Sequence, residues 1–233
     1  MGVISARSGG FMDAKRNAAE RAVDYIHDGM IVGLGTGSTA YWAIQKLGSR
    51  VQEGLNIKAI ATSIQSEELA KKLGIPIITF SEINEIDITI DGADEVDLNL
   101  HMIKGGGGAL LREKIVAAAS KQFIVVVDES KLVNCLGTFP LPIEIVKFGF
   151  EATIKKLQLL ECEPRLRKIE NKVYVTDNDN YIVDCHFNRI EKPEELHNRL
   201  NLLPGIVDNG LFVNMTRKVI VGYRNGEIKE LEK

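Results

Sequence analysis

The segment IVGLGTGSTAYWAIQKL, residues 31–47, contains a strand pattern, a glycine-rich turn and a helix pattern in direct succession. Residues 31–34 are a short apolar run, which is typical of a buried strand. Beyond the turn, apolar residues recur at helical spacing, at Ala40, Ala43, Ile44 and Leu47. The segment therefore predicts one strand–helix unit of an α/β fold.

The same alternation continues to about residue 135. Further β-rich runs are IKAIAT, PIITF, IDITID and FIVVVD, and helical patterns lie in SEELAKKLG and after the glycine run at residues 105–108. This alternation indicates right-handed βαβ units and a mostly parallel, Rossmann-like sheet. Ligands of such sheets bind at the carboxyl ends of the strands, so polar motifs at those ends are the candidate sites.

The pattern changes after residue 138. Strand, helix, strand, hairpin, helix and strand patterns follow at LPIEIV, residues 150–160, residues 164–168, KVYVTDNDNYIVDCHF, residues 193–202 and residues 206–213. This β-α-β-β-α-β order is typical of a ferredoxin-like α+β unit, and the last apolar run, KVIVGY, is expected to rejoin the first sheet. We therefore predict a Rossmann-like catalytic domain of residues 12–138 and 215–233, an inserted ferredoxin-like domain of residues 139–214, and a disordered leader of residues 1–11.

Composition excludes several classes of function. The chain is 45% hydrophobic and 26% charged with a net charge of −3, which is typical of a globular protein without a nucleic-acid-binding patch. It has no run of about 18 apolar residues, so no membrane span is expected. Its three cysteines form no CxxC pair and its four histidines are scattered, so we expect neither a zinc site nor a disulfide framework.

The first candidate site is GLGTGST, residues 33–39, between a strand and a helix. Its glycines allow close approach to an anion, the helix N-terminus offers free N–H groups, and Thr36, Ser38 and Thr39 add hydroxyls. These features fit a phosphate; a tight turn with Ser38 or Thr39 as N-cap is the alternative. A dinucleotide site is disfavoured, because Ser38 stands where GxGxxG needs glycine and the next strand ends without an acidic residue.

The second candidate site is DGADEVD, residues 91–97, at the end of the strand IDITI. Asp91 and Asp94 are close enough in sequence to serve one ligand as hydroxyl acceptors or as a general base. A solvated acidic turn remains the alternative. A calcium loop is disfavoured, because its oxygen ligands alternate along the chain and these do not.

The third candidate site is KGGGGALLREK, residues 104–114. Its glycines can direct backbone N–H groups toward a ligand, and Lys104 supplies a positive charge. Glu113 is expected to face either water or a cleft, since the core stripe of the following helix is predicted at Leu111, Ile115, Ala118 and Ala119. In DESKLV, residues 128–133, Lys131 can contact a substrate or be a surface lysine.

Taken in order, GLGTGST, DGADEVD, KGGGGALLREK and DESKLV resemble the A-type ribose-5-phosphate isomerase family. The resemblance continues through FPLPIEIV, VTDNDNYIVD and LPGIVDNGLF and covers nearly the whole chain from about residue 14. It implies interconversion of D-ribose 5-phosphate and D-ribulose 5-phosphate in the non-oxidative pentose phosphate pathway, without metal or organic cofactor. It also implies a cytoplasmic homodimer or homotetramer.

Residue roles are carried over by motif. The resemblance implies that Glu113 is the base that moves a proton between C2 and C1 through a cis-enediolate. Asp91 is the candidate for ring opening, Asp94 for holding hydroxyls and Lys104 for stabilising the enediolate. The implied substrate contacts are Thr36, Gly37, Ser38, Thr39, Gly92, Ala93, Gly105, Gly106, Gly107 and Lys131. Lys15 matches only loosely and stays outside the predicted site.

Two alternatives remain at this point. One is an enzyme of related fold, either an amino-sugar phosphate deaminase or an acyl-CoA transferase. The other is a non-catalytic sugar-phosphate sensor, although no DNA-binding element is visible in the sequence.

Overall fold

The computed structural model describes residues 9–233. The α-helices are α1 Gly9–Val23, α2 Ser38–Gln52, α3 Ile64–Lys72, α4 Leu110–Ala118, α5 Phe150–Gln158 and α6 Pro193–Asn201. The strands are β1 Ile31–Leu34, β2 Lys58–Ala61, β3 Ile86–Gly92, β4 Glu95–Val96, β5 Met102–Ile103, β6 Ser120–Asp128, β7 Leu141–Ile145, β8 Glu163–Leu166, β9 Lys168–Ile169, β10 Lys172–Val173, β11 Tyr181–His186, β12 Ile206–Asn209, β13 Leu211–Phe212, β14 Lys218–Gly222 and β15 Ile228–Glu232. Of the predicted leader, residues 1–8 lie outside the described residues, and residues 9–11 belong to α1.

The main sheet has the strand order β15-β14-β6-β3-β1-β2. All neighbouring pairs are parallel except β14 with β15, so the predicted mostly parallel sheet is confirmed. The apolar run KVIVGY returns to it as β14, beside β6. Because β1, β3 and β6 are neighbours with one direction, the loops that follow them meet at one edge of the sheet.

Apolar side chains cover both faces of this sheet. Along β6, Ile124 and Val126 belong to the core that includes residues of α1 and α2, whereas Val125 and Val127 belong to a second core on the opposite face. This alternation follows from the two-residue period of a strand, and it explains why residues 123–127 of β6 are all apolar. The sheet is therefore a rigid base for the loops at its edge.

The second sheet has the order β12-β7-β11-β8, and every pair in it is antiparallel. If the four strands are numbered 1 to 4 as they occur along the chain, their order in the sheet is 4-1-3-2. The two connecting helices are α5 and α6. The arrangement is that of a split β-α-β unit, so the predicted ferredoxin-like fold is confirmed. The division of the chain into domains at residues 138 and 215 stays a prediction.

Two predicted strands differ from the structure. PIITF is not a strand: Ile77 forms a single bridge with Ala59, and a 3₁₀ turn, Phe80–Glu82, follows it. The strand predicted near residues 206–213 is divided, because β12 pairs with β7 whereas β13 pairs with β5 in a small separate sheet.

No helix within residues 9–233 is long and apolar enough to cross a membrane.

The predicted hairpin KVYVTDNDNYIVDCHF is also wrong. Val175 and Tyr181 form only one bridge, and β10 pairs with β9 instead. The turn between Val175 and Tyr181 folds around Glu144, a fully buried carboxylate on β7. Its Oε1 accepts hydrogen bonds from Thr176 Oγ1 at 2.9 Å and from the side-chain amides of Asn178 and Asn180 at 3.2 and 3.0 Å. A buried carboxylate needs such donors, and this requirement overrides the local turn pattern.

Candidate active site

A cavity of about 100 Å³ lies at the carboxyl edge of the main sheet. It brings together most of the predicted site residues, namely Thr36, Gly37, Ser38, Thr39, Gly92, Ala93, Asp94, Lys104, Gly105, Gly107, Glu113 and Lys131. Asp91 and Gly106 lie behind this lining, where each contacts a residue that does line the cavity. Lys15, which the sequence analysis left outside the site, is part of the lining.

One end of the cavity is suited to an anion. Gly37 is the N-cap of α2 with a φ of 98°, a conformation that favours glycine, and no side chain caps the helix there. The first N–H groups of α2 are therefore left for a ligand, together with the hydroxyls of Ser38 and Thr39. The cations nearby are Lys131 and Lys15, whose Nζ lies 3.3 Å from Ser38 Oγ.

A cluster of hydroxyls supports this loop from behind. Thr36 Oγ1 lies 2.7 Å from Thr62 Oγ1 and donates to Ser63 Oγ at 2.9 Å. Ser66 Oγ donates to the carbonyl of Gly35 at 2.6 Å. These groups come from the end of β2 and the start of α3, where a dinucleotide-binding fold would have its acidic residue. The strand end thus holds the turn 33–39 in place.

The other end of the cavity holds three buried charged groups. Lys104, Asp91 and Glu113 are only 2%, 1% and 4% exposed. Lys104 Nζ lies 3.0 Å from Asp91 Oδ2 and 3.6 Å from Glu113 Oε2, and it donates to the carbonyl of Gly92. Asp91 Oδ1 accepts from the N–H groups of Thr36 and Gly92 at 3.0 and 2.7 Å. Asp91 thereby links the turn of residues 33–39 to Lys104.

The buried face of α4 differs from the prediction. Leu110, Glu113, Val116 and Ala117 are buried, whereas Ile115 of the expected core stripe is 49% exposed. The buried residues lie on the opposite side of the helix from the predicted stripe, and because apolar residues occur on both sides, periodicity alone could not choose between them. The buried side brings Glu113 to Lys104, with 3.6 Å between Oε2 and Nζ. Glu113 therefore faces the cavity rather than water.

Burial changes the protonation of this cluster. Burial and the nearby Asp91 raise the pKa of Glu113 from 4.5 to about 8, against the opposing effect of Lys104. Burial also raises the pKa of Asp91, again opposed by Lys104. Burial alone would lower the pKa of Lys104, but Asp91 and Glu113 raise it above its ordinary value. The cluster therefore keeps a charged lysine beside a carboxyl that titrates near neutral pH.

The glycine loop and Asp94 form the wall between the two ends. The N–H of Gly106 donates to Asp94 Oδ2 at 2.8 Å. A Cβ atom at Gly106 would lie 2.5 Å from Asp94 Oδ1, so any side chain here would displace the Asp94 carboxylate. The loop closes as a turn in which the N–H of Gly108 donates to the carbonyl of Gly105 at 2.9 Å. Asp94 is thus held in one orientation, with its carboxylate at the cavity wall.

This set of groups supports proton transfer on a small phosphorylated molecule. Glu113 Oε2 is buried and has no hydrogen-bond partner among the described residues, so it can accept a proton from a ligand. Lys104 can stabilise negative charge that develops beside it. Within residues 9–233, no group of three or more histidine, cysteine, aspartate and glutamate side chains is arranged to hold a metal ion.

Comparison with known proteins supports the family resemblance noted in the sequence. A family model described as ribose 5-phosphate isomerase A (phosphoriboisomerase A) matches residues 58–226. Ribose-5-phosphate isomerase A of Bacillus anthracis is 58% identical over 94% of this chain and 100% of its own length. The corresponding protein of Bacillus cereus (strain ATCC 10987) is 56% identical with the same coverage.

Solved structures agree over the whole described fold. A ribose 5-phosphate isomerase from Plasmodium falciparum superposes with a TM-score of 0.92 at 43% identity, covering 95% of this chain and 99% of that one. A D-ribose-5-phosphate isomerase in complex with phospho-erythronic acid also gives 0.92, at 40% identity and with 96% and 99% coverage. On its fold, its cavity and these matches, the chain belongs to the ribose 5-phosphate isomerase A family.

Proposed function

We propose that this isomerase interconverts D-ribose 5-phosphate and D-ribulose 5-phosphate through a cis-enediolate, with Glu113 as the base. One observation carries the proposal: a buried carboxyl with a pKa of about 8 and an uncapped helix N-terminus line the same cavity. A molecule that spans them has a phosphate at one end and a carbon acid at the other. The C1–C2 end of ribose 5-phosphate then lies at Glu113, and C5 lies at α2.

Glu113 moves one proton between two adjacent carbons. Its carboxylate takes the proton from C2 of the open-chain aldose, and the electrons form the enediolate while the C1 oxygen gains negative charge. A proton passes from the C2 hydroxyl to the C1 oxygen, and the same carboxyl returns the abstracted proton to C1, which leaves a carbonyl at C2 and yields the ketose. A pKa near neutrality suits both steps, because the group must act as base and then as acid. A positioned base of this kind contributes about 10²–10⁴-fold.

Charge on the enediolate requires donors close to its oxygens. Lys104 lines the cavity beside Glu113, and the glycine loop adds backbone N–H groups. A preorganised donor of this type is worth about 3–4 kcal/mol in the transition state. Asp94, at the cavity wall, is placed to accept hydroxyls of the sugar. Ring opening is assigned to Asp91, which lies behind the cavity lining and acts on the sugar through Lys104, whose Nζ lies 3.0 Å from Asp91 Oδ2.

The phosphate end supplies binding energy rather than chemistry. The N–H groups at the start of α2, the hydroxyls of Ser38 and Thr39, and the cations Lys131 and Lys15 surround that end. Holding a remote phosphate fixes the reacting carbons at Glu113. Phospho-erythronic acid, the compound in one solved relative, joins a phosphate to a planar carboxylate. We expect it to inhibit this chain competitively, because the carboxylate resembles the enediolate in shape and charge.

Assembly into a homodimer or homotetramer and a cytoplasmic location belong to the same proposal. Large apolar side chains are exposed around the second sheet, including Phe148 at 95% and Leu202 at 81%. Exposed apolar groups of this size favour contact with a second copy. Light scattering on the eluting protein measures the mass, and a monomer would contradict this part of the proposal.

The function is tested with purified protein and ribose 5-phosphate alone, in the presence of EDTA. We expect ribulose 5-phosphate to accumulate until equilibrium is reached. A matched reaction with ribose, which lacks the phosphate, should be slower by orders of magnitude at equal concentration. The absence of ketose from ribose 5-phosphate would refute the proposal.

A further inference from the structure

Arg167 is a residue outside the cavity that contacts the cavity's glycine loop. It follows β8, and its Nη1 donates to the carbonyl of Gly105 at 3.0 Å and to the carbonyl of Gly106 at 3.2 Å. It does not line the cavity. Arg167 therefore connects the second sheet to the glycine loop between β5 and α4.

The guanidinium itself is held firmly. Its Nε and Nη2 donate to the two carboxylate oxygens of Asp184 on β11, at 2.9 and 2.5 Å. Its backbone is fixed as well, because its N–H donates to the carbonyl of Ile182 and its carbonyl accepts from the N–H of Tyr174. The side chains of Arg167 and Asp184 are 14% and 22% exposed. A bidentate ion pair of this type sets the direction of the remaining guanidinium nitrogen, Nη1.

Fixing a carbonyl also fixes the N–H on the other side of the same peptide plane, because the two groups point in opposite directions. In the peptide between Gly105 and Gly106, that N–H is taken by Asp94. In the peptide between Gly106 and Gly107, the carbonyl goes to Arg167, and the N–H of Gly107 forms no recorded hydrogen bond within residues 9–233. Gly107 lines the cavity. The N–H of Gly107 is thus directed away from Arg167.

We propose that Arg167, held by Asp184, is a positioning residue that orients the Gly106–Gly107 peptide so that the N–H of Gly107 binds the oxyanion of the enediolate. This inference rests on the proposed function, since it assigns a donor to that intermediate. Glycines have the widest backbone freedom, so a run of four needs an external anchor to present one donor in one direction. The positive charge at the carbonyl also polarises the peptide and strengthens its N–H as a donor.

The test compares Arg167→Ala, Arg167→Lys and Asp184→Asn with the control Arg165→Ala. Arg165 lies on β8, two residues away, and pairs at the surface with Glu163 at 2.8 Å. Each variant is measured for kcat, for KM, and for inhibition by phospho-erythronic acid and by inorganic phosphate. Arg167→Ala is also assayed with added guanidinium ion.

We expect Arg167→Ala to lower kcat by about 10–100-fold, less than the 10²–10³-fold typical of deleting an oxyanion donor, because the donor is misplaced rather than removed. KM and inhibition by phosphate should change less than about threefold, since the α2 end is untouched. Inhibition by phospho-erythronic acid should weaken in step with kcat. Guanidinium ion should restore part of the rate, whereas Arg167→Lys and Asp184→Asn should be intermediate.

The inference is overturned if Arg167→Ala keeps a kcat within twofold of Arg165→Ala. It is also overturned if both inhibitors weaken together and guanidinium ion restores nothing, since that pattern indicates general loss of structure. Should Arg167→Ala fail to fold, Asp184→Asn decides by the same comparison of inhibitors. A wild-type chain without isomerase activity would instead refute the proposed function, and binding of the two inhibitors would still test the role of Arg167.

Discussion

Replacing Glu113 by glutamine removes the titration of one buried carboxyl while keeping its shape. Burial, together with Asp91, raises the pKa of this group from 4.5 to about 8 in the folded protein. Between those two pH values the folded state binds one proton more than the unfolded state. Raising the pH across this window therefore lowers the free energy of unfolding of the wild type. Glutamine cannot titrate, so the free energy of unfolding of the variant does not fall in this way as the pH rises.

The size of the effect follows from the pKa. Each pH unit inside the window costs about 1.4 kcal/mol, so the span from pH 5 to pH 8 is worth roughly 4 kcal/mol. Lys104 keeps a partner in the variant, because Asp91 Oδ2 lies 3.0 Å from its Nζ. We therefore expect Glu113→Gln to gain roughly 4 kcal/mol of stability relative to the wild type between pH 5 and pH 8. Above pH 8 the difference should become constant.

Urea unfolding at a series of pH values between 5 and 9 measures this difference directly. The control is Glu163→Gln, which removes an exposed carboxylate paired with Arg165 at the surface. The free energy of unfolding of that variant should follow the same pH dependence as that of the wild type across the series. Parallel curves for Glu113→Gln and the wild type would refute the reasoning, because they would mean that Glu113 is ionised at its ordinary pKa in the folded protein.

Other substitutions separate binding from chemistry. Ser38→Ala and Lys131→Ala should each raise KM by about 10-fold with little change in kcat, because each removes a hydrogen bond to a charged phosphate; an unchanged KM in both, by steady-state kinetics, would place the phosphate elsewhere. Gly106→Ala would set a Cβ atom 2.5 Å from Asp94 Oδ1, so Asp94 must move. We expect kcat/KM to fall about 100-fold with a similar thermal midpoint, and wild-type kinetics in this variant would contradict the fixed position of Asp94.

The mostly parallel sheet and the location of the cavity at its carboxyl edge could be predicted from the sequence. Runs such as FIVVVD and KVIVGY have the composition of strands buried on both faces, and the motifs GLGTGST, DGADEVD and DESKLV each begin where such a strand ends. The parallel arrangement then brings the motifs to one edge without further information. This reasoning depends only on local pattern and on chain direction, which a sequence contains.

Features that depend on partners distant in the chain could not be predicted in this way. The predicted face of α4 is wrong, because apolar residues occur on both sides of the helix and only packing in the folded chain selects the side of Val116 and Ala117. The hairpin was assigned incorrectly, because Glu144 attracts the turn residues. Lys15 lies on α1, far from the other motifs, and only the packing of that helix brings its Nζ to Ser38. For the hairpin and for Lys15, a charged group and its distant partner decide the outcome.

The central claim is that Glu113 moves the proton between C2 and C1. The most direct measurement follows wild type and Glu113→Gln by NMR with ribose 5-phosphate in deuterated water. We predict that the wild type places deuterium at C1 of the ketose and at C2 of the recovered aldose, whereas Glu113→Gln binds the sugar phosphate but exchanges neither position at a measurable rate. Isomerisation by the wild type without solvent deuterium, or exchange at the wild-type rate in Glu113→Gln, would contradict the claim.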